Sequence, residues 1–151
     1  MRGMRRLCCL ALLLLTCPLA TAAHPSTAQP PAALRQEIEA RNRDLTTALE
    51  RGDLLAVAGI YEDHAKIMGR NRMWEGRDEI NRYWTRLAGI AKRWKLEVHE
   101  VGGSKDEPWQ IGRSTLVTVR DGKEETSVVE FVVIWRRDAA GHLRIHMDVY
   151  N

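Results

Sequence analysis

Three short stretches, 51–53 (RGD), 61–65 (YEDHA) and 75–80 (EGRDEI), decide how the first half of this 151-residue chain folds. Apolar residues before the first stretch recur with helical spacing, and Gly52 is suited to end that helix in a left-handed cap. Asp53 is suited to cap a second, short helix, which ends near the aromatic residue of the second stretch. A strand then follows, and the glycine of the third stretch precedes a third helix. The order helix, helix, strand, helix is therefore expected before any sheet of several strands.

The second half of the chain has the pattern of a sheet. The third helix is predicted to run from about Arg77 to Gly89, and beyond it the apolar period changes from 3.6 to 2, which indicates strands. Asp121-Gly122 is a strong hairpin signal, because both residues accept positive φ in a type I′ turn. Helices followed by an antiparallel meander predict an α+β fold with the helices on one face of the sheet. The alternation marks strands at residues 94–98, 109–119, 129–135 and 143–149.

The N-terminal residues have the pattern of an export signal. Three arginines precede an apolar run of nine residues, 7–15, and small residues suited to cleavage follow at 20–23. Nine apolar residues are too few to span a bilayer, which needs about 20. Residues 1–23 are therefore predicted to be a signal peptide, 24–31 a loose leader and 32–151 one domain, in the periplasm or outside the cell. An alternative remains at Cys17: residues 14–17 resemble a bacterial lipobox, so the chain is expected at a membrane only if that cysteine is lipidated.

Cleavage changes the charge of the chain. The precursor has 23 basic and 20 acidic residues, and the predicted signal removes three arginines and no acid, which leaves 20 of each. A nearly neutral chain lacks the basic footprint that nucleic acids require. All three cysteines lie in the first 17 residues, so no disulfide framework is expected in the mature chain.

The turns and the last strand together resemble the NTF2-like superfamily, in particular its SnoaL-like and DUF4440-type domains. Residues 143–151 (LRIHMDVYN) are similar to the closing strand of DUF4440-type domains, aromatic-x-Ile-x-x-Asp-x-aromatic-Asn, although Leu143 stands in the first aromatic place. The resemblance covers about residues 32–151. It implies a cystatin-like cone in which about three N-terminal helices pack on a bent antiparallel sheet around a pocket. It also implies a homodimer formed through the sheet face.

Aromatic residues are the first candidates for a binding site. The chain has five tryptophans and only one phenylalanine. Several of them fall on the apolar side of their strand or helix, where they are expected either to line a pocket for a small, partly apolar molecule or to form ordinary core. The candidate lining residues are Tyr61, Trp74, Tyr83, Trp84, Trp94, Trp109 and Trp135.

Polar residues on the last strand are the candidates for catalysis. His146 and Asp148 stand on the side of their strand opposite the apolar stripe, as do His99 and Glu130 on theirs. Strict alternation places this polar row on the outer face of the sheet, so Asp148 and His146 act as base and partner only if that side reaches the cavity. The spacing gives weak support for a metal site, and neither a metal nor a cofactor is predicted.

The resemblance also shows what is missing. Ketosteroid-isomerase-like members of the superfamily have Tyr-Ala-Asp-Asp-Ala where this chain has residues 61–65, and they place a general-base carboxylate a few residues later. Here that position falls near Gly69, and residues 66–73 contain no Asp or Glu. The leading hypothesis is therefore a small-molecule-binding domain with an aromatic pocket. The alternatives are a cofactor-free acid–base enzyme of isomerase, dehydratase or cyclase type, and a homodimeric assembly module.

Overall fold

The computed structural model describes residues 32–151 as three helices and six strands. The predicted signal peptide, the leader and Cys17 lie outside the described residues. The helices are α1 (Ala32–Glu50), α2 (Leu54–Gly59) and α3 (Arg77–Thr85). The strands are β1 (Tyr61–Gly69), β2 (Arg72–Glu75), β3 (Ala91–Gly103), β4 (Pro108–Arg120), β5 (Lys123–Arg137) and β6 (Leu143–Tyr150).

The turns predicted from local residues are present. Gly52 has a φ of 77°, and its N–H and that of Asp53 bond back to carbonyls in the last turn of α1. The Asp53 carboxylate accepts a 3.0 Å hydrogen bond from the N–H of Ala56 and so caps α2. Asp121 and Gly122 both have positive φ in the β4–β5 turn. These three predictions are confirmed.

The sheet is mixed rather than antiparallel throughout. Its strand order is β2-β1-β6-β5-β4-β3, and β1 runs parallel to β6. The sequence prediction missed both this pairing and strand β2, which returns along β1 through a tight turn at Arg70 and Asn71. Both turn residues have positive φ, which is uncommon for an arginine. The residues at this turn therefore did not indicate a hairpin in the sequence. The helices pack on the concave side of the bent sheet, so the predicted cone-like α+β architecture is confirmed.

Helix α3 is shorter than predicted. It ends at Thr85 instead of about Gly89, and residues 86–90 form turns that lead into β3. Gly89 has a φ of 75° within these turns. The shorter helix leaves the end of α3 beside the opening described below.

The outer face of the sheet is partly apolar, whereas the alternation predicted a polar one. Val132 pairs with Val149 and Ile111 across neighbouring strands, and Val128 and Met73 are more than half exposed. The homodimer implied by the resemblance stays a prediction. None of the helices in residues 32–151 is long and apolar enough to cross a membrane.

Candidate functional site

A cavity of about 920 Å³ lies between the helices and the concave face of the sheet. Its inner wall is built by inward-facing residues of every strand, because side chains at alternate positions share one face. The β1–β2 turn, the end of α3 and the tip of the β4–β5 hairpin surround its opening. The volume is in the range of sites that hold a small molecule.

Aromatic rings form a continuous chain along one wall. Trp74 and Tyr83 have ring centroids 4.8 Å apart, and Tyr83 and Trp84 are 5.2 Å apart. The chain continues to Trp94, 5.1 Å from Trp84, while Tyr61 lies 6.2 Å from Trp84. These spacings are typical of aromatic pairs in contact. All five residues line the cavity.

The other two predicted lining residues, Trp109 and Trp135, are not on the cavity wall, and the prediction is corrected for both. The inward positions of β4 are the even-numbered ones, such as Gln110, so Trp109 points to the other side and packs over Gly102. Trp135 is fully buried in the core instead.

The charged group on the inner wall is Asp148. Its Oδ2 accepts a 2.8 Å hydrogen bond from the hydroxyl of Tyr61, a residue only 2% exposed. Burial of the carboxyl raises the pKa of Asp148 to about 6, although the hydrogen bond from Tyr61 opposes the increase. Burial, and then the charge of Asp148, raises the pKa of Tyr61 well above its usual value, so its hydroxyl remains a donor. Within residues 32–151, Tyr61 is the hydrogen-bond partner found for this side chain, so Oδ1 is left free to face a ligand.

A bulge in β6 explains why Asp148 faces inward although alternation predicted the opposite. Neighbouring residues Ile134 and Trp135 of β5 pair with Met147 and Ile145 of β6, so His146 is an extra residue. An inserted residue reverses the facing of everything beyond it. Ile145 and Asp148 therefore both line the cavity, three positions apart. The prediction that Asp148 lies in an outer polar row is wrong for this reason.

His146 is absent from the cavity wall and belongs to a polar group outside it. Its Nδ1 lies 2.8 Å from Oε2 of Glu62 and 3.1 Å from a guanidinium nitrogen of Arg136. The hypothesis that His146 acts with Asp148 on a ligand in the cavity is corrected, because the bulge separates the two side chains. Among residues 32–151, no group of three or more His, Cys, Asp or Glu is arranged to hold a metal ion.

Tyr150 occupies the place where a carboxylate on β1 would project. Gly69 pairs with Tyr150, and a methyl group added at Gly69 would overlap the tyrosine ring. The Tyr150 hydroxyl accepts a 3.0 Å hydrogen bond from the hydroxyl of Tyr83. Burial is the main cause that raises the pKa of Tyr83, followed by this bond. The cavity thus has its carboxylate on the last strand and a tyrosine pair near the isomerase base position.

A buried amide pair, missed by the sequence analysis, closes the far side of the cavity. Asn42 donates to Gln110 at 2.9 Å, and Gln110 donates back at 3.2 Å. Both side chains are at most 4% exposed and both line the cavity. A signal was available for Asn42, since it continues the apolar stripe of α1 between Ile38 and Leu45.

Four arginines, also missed, surround the opening: Arg70, Arg72, Arg86 and Arg120. The guanidinium of Arg86 lies 4.3 Å from the ring centroid of Tyr83 and 5.1 Å from that of Trp74. Arg72 lies 5.1 Å from the Trp74 centroid. These distances are those of cation–π contacts, so the aromatic wall and the arginines form one continuous surface.

Comparisons with known proteins agree with the fold. The chain resembles a ketosteroid isomerase-like protein from Erwinia carotovora atroseptica, with a TM-score of 0.66 and 22% identity over 76% of this chain and 92% of that one. An NTF-2 like protein of unknown function from Shewanella oneidensis gives a TM-score of 0.65, with 18% identity over 77% and 97% of the two chains. The protein Aln2 from a Streptomyces species gives 0.70, with 15% identity over 82% and 93%. No curated protein matches the chain.

The family comparison covers most of the chain. The model of the SnoaL-like domain matches residues 42–146, from the buried amide of α1 to the bulge of β6. The structures above confirm the NTF2-like fold that the resemblance implied. With the match extending over more than half of its residues, this chain belongs to the SnoaL-like domain family.

Proposed function

We propose that this domain binds a small, largely apolar molecule in the cavity and that Asp148 exchanges a proton with it, without a cofactor. The proposal rests on the carboxyl of Asp148, which lies on the aromatic inner wall and has a pKa of about 6. One of its oxygens accepts a hydrogen bond from Tyr61, and the other faces the cavity. A general base works best when its pKa lies near the operating pH.

The two oxygens of the carboxylate have different roles in this proposal. Oδ2 is fixed by the Tyr61 hydroxyl, so the orientation of the group does not depend on the ligand. Oδ1 takes a proton from a C–H or O–H of the bound molecule, and returns it to another atom of the same molecule. Isomerisation, dehydration and cyclisation all fit such a transfer, because each needs a proton removed and a proton delivered. The ketosteroid isomerase-like neighbour supports this class of reaction only by analogy of fold.

The test measures proton exchange directly. Bicyclic ketones with acidic C–H groups, such as 2-tetralone, are incubated in D₂O with the wild-type domain and with Asp148→Asn, and deuterium incorporation is followed by NMR. We expect the wild type to accelerate exchange and Asp148→Asn to abolish the acceleration while ketone binding, seen by tryptophan quenching, is retained. The exchange rate should rise with pH through about 6 and then level off, because the base must be ionised. His146→Gln is the matched control, since His146 lies outside the cavity.

Binding without catalysis is the second candidate. It is favoured by the missing carboxylate at Gly69, whose place is taken by Tyr150. Saturable binding with equal exchange rates for the wild type and Asp148→Asn would establish this candidate and refute the catalytic one. The predicted export is compatible with either, and mass spectrometry of the mature N-terminus tests it separately.

A further inference from the structure

The arginines of this domain divide into two groups with different surroundings. Residues 32–151 contain 15 arginines, and nine of them form an ion pair with a carboxylate within 4 Å. None of these nine lines the cavity. In the described part of the chain, six arginines have no such carboxylate, and four of the six surround the opening: Arg70, Arg72, Arg86 and Arg120.

Three separate elements bring these four side chains together. Arg70 and Arg72 belong to the β1–β2 hairpin, Arg86 to the end of α3, and Arg120 to the tip of β4. Arg70 reaches across to donate a 3.3 Å hydrogen bond to Ser127 of β5. Elements distant in the sequence therefore place four positively charged side chains around one cavity.

The charge at the opening is not neutralised locally. Glu125 is the acidic residue of the described chain that lines this part of the cavity, and it forms no ion pair with any of the four arginines. Asp148 lies deeper. Arg72 pairs with Gly69, and Trp74 with Ile67, which in turn pairs with Asp148. Arg72 is thus two residues, about 7 Å along the strands, nearer to the opening than the carboxylate.

We infer that the ligand of this cavity is an anion: an apolar, ring-containing body with a carboxylate or another planar oxyanion at one end. The body lies along the rings of Trp74, Tyr83, Trp84 and Trp94, and the oxyanion binds the guanidinium groups at the opening. Arginine binds planar oxyanions through two parallel hydrogen bonds, which makes it suited to this task. Stacking on Trp74 and Tyr83 fixes Arg72 and Arg86 before a ligand arrives, so less side-chain entropy is lost on binding.

This inference rests on the proposed binding in the cavity but not on catalysis by Asp148. It also assigns an orientation. With the anion at the arginines, the far end of the ring system is directed to Asp148, and the two like charges are kept apart. A ligand entering with its carboxylate inward would meet Asp148, so that orientation is disfavoured.

The test compares two probes of the same shape, 2-naphthoate and neutral 2-naphthamide, by tryptophan quenching at pH 7.5. We expect the naphthoate to bind at least about tenfold more tightly, a difference of about 1.4 kcal/mol. Arg70→Gln/Arg120→Gln and Arg72→Gln/Arg86→Gln should each reduce the ratio of the two affinities at least threefold, with naphthamide binding unchanged in the first variant. Arg43→Gln/Arg51→Gln removes the other two arginines of residues 32–151 that have no carboxylate within 4 Å; neither lines this cavity, so the variant should leave the ratio as it is. Circular dichroism confirms folding of each variant.

Three results would overturn the inference. Equal affinities of the two probes for the wild type would refute anion selection while leaving cavity binding intact. An equal loss of selectivity in the Arg43→Gln/Arg51→Gln control would show that only the net charge matters. Binding of neither probe would refute this inference and the cavity proposal together.

A third probe, 2-naphthyl phosphate, identifies the class of anion. Tighter binding than naphthoate, lost in the same arginine variants, would reassign the class from carboxylate to phosphate.

Discussion

The inner wall of the cavity and its opening both carry charge, but the charges differ in sign and in exposure to solvent. On the inner wall, one half-buried carboxyl lies beside Tyr61, and its pKa is displaced to about 6. At the opening, four arginines are exposed; Arg72 and Arg86 stack on rings, and Arg70 donates a hydrogen bond to Ser127. A buried charge changes the stability of the fold, whereas exposed charges hardly do. The inner wall and the opening can therefore be altered separately, the first to change stability and proton transfer and the second to change ligand selection.

The largest effect is expected from Trp84→Ala, which removes the centre of the inner wall. Trp84 is 4% exposed and contacts the rings of Tyr61, Tyr83 and Trp94. Truncating such a buried ring costs about 3–5 kcal/mol of the free energy of unfolding. Urea denaturation measures it, with Leu55→Ala as the control, because Leu55 is 61% exposed. A loss below about 1 kcal/mol would mean that the wall is held by other contacts.

Asp148→Asn is expected to stabilise the domain at neutral pH. The folded protein holds the carboxyl proton more tightly than the unfolded chain, with a pKa of about 6 against 3.8, so wild-type stability falls as pH rises from about 4 to 6 and then levels off. Asparagine has no proton to lose and can still accept the Tyr61 hydrogen bond. At pH 8 the gain should be about 1–3 kcal/mol, because one pKa unit corresponds to about 1.4 kcal/mol and the group is partly accessible from the cavity.

The measurement for Asp148→Asn is the midpoint of urea unfolding from pH 4 to 8 for the two proteins. The curves should meet near pH 4 and separate as pH rises. Parallel curves over the whole range would contradict the raised pKa.

Tyr61→Phe tests the same wall with a smaller change. It removes one hydrogen bond and should cost about 1 kcal/mol of stability. Because the Tyr61 hydrogen bond lowers the pKa of Asp148 against the larger effect of burial, its loss should raise that pKa further above about 6. A ¹³C NMR titration of the Asp148 carboxyl in both proteins shows the shift. A pKa that falls in Tyr61→Phe would show that solvent reaches the carboxyl once the hydroxyl is gone.

The residues at the turns made the order of elements predictable, whereas the register between strands could not be predicted from the sequence. Gly52, Asp53 and Asp121-Gly122 act on their immediate neighbours, so the sequence alone indicated those boundaries. Asp148 faces the cavity because of the bulge at His146. Strict alternation, which takes no account of a bulge, places Asp148 on the opposite face of the sheet. Asp148, which was predicted to lie on the outer face of the sheet, is thus the carboxylate of the candidate site.

The arginines at the opening could not be chosen from the sequence for a related reason. Nothing in the local pattern separates Arg70, Arg72, Arg86 and Arg120 from the arginines that pair with carboxylates elsewhere. Their meeting depends on the β1–β2 hairpin, the early end of α3 and the length of the β4–β5 hairpin. Asn42 differs, because its place in the apolar stripe of α1 was visible, and only its partner Gln110 required the structure.

The smallest effect on stability is expected at the opening. Arg70→Gln/Arg120→Gln should change the free energy of unfolding by less than about 0.5 kcal/mol, since both side chains are exposed and have no carboxylate partner within the described chain. The same variant should remove much of the salt dependence of naphthoate binding, because exposed charges are screened by ions. Raising NaCl from 50 to 500 mM in the quenching assay, with urea unfolding in parallel, measures both. A large loss of stability with unchanged salt dependence would show that these arginines stabilise the fold and do not select the ligand. The opening and the inner wall would then not differ in their effect on stability.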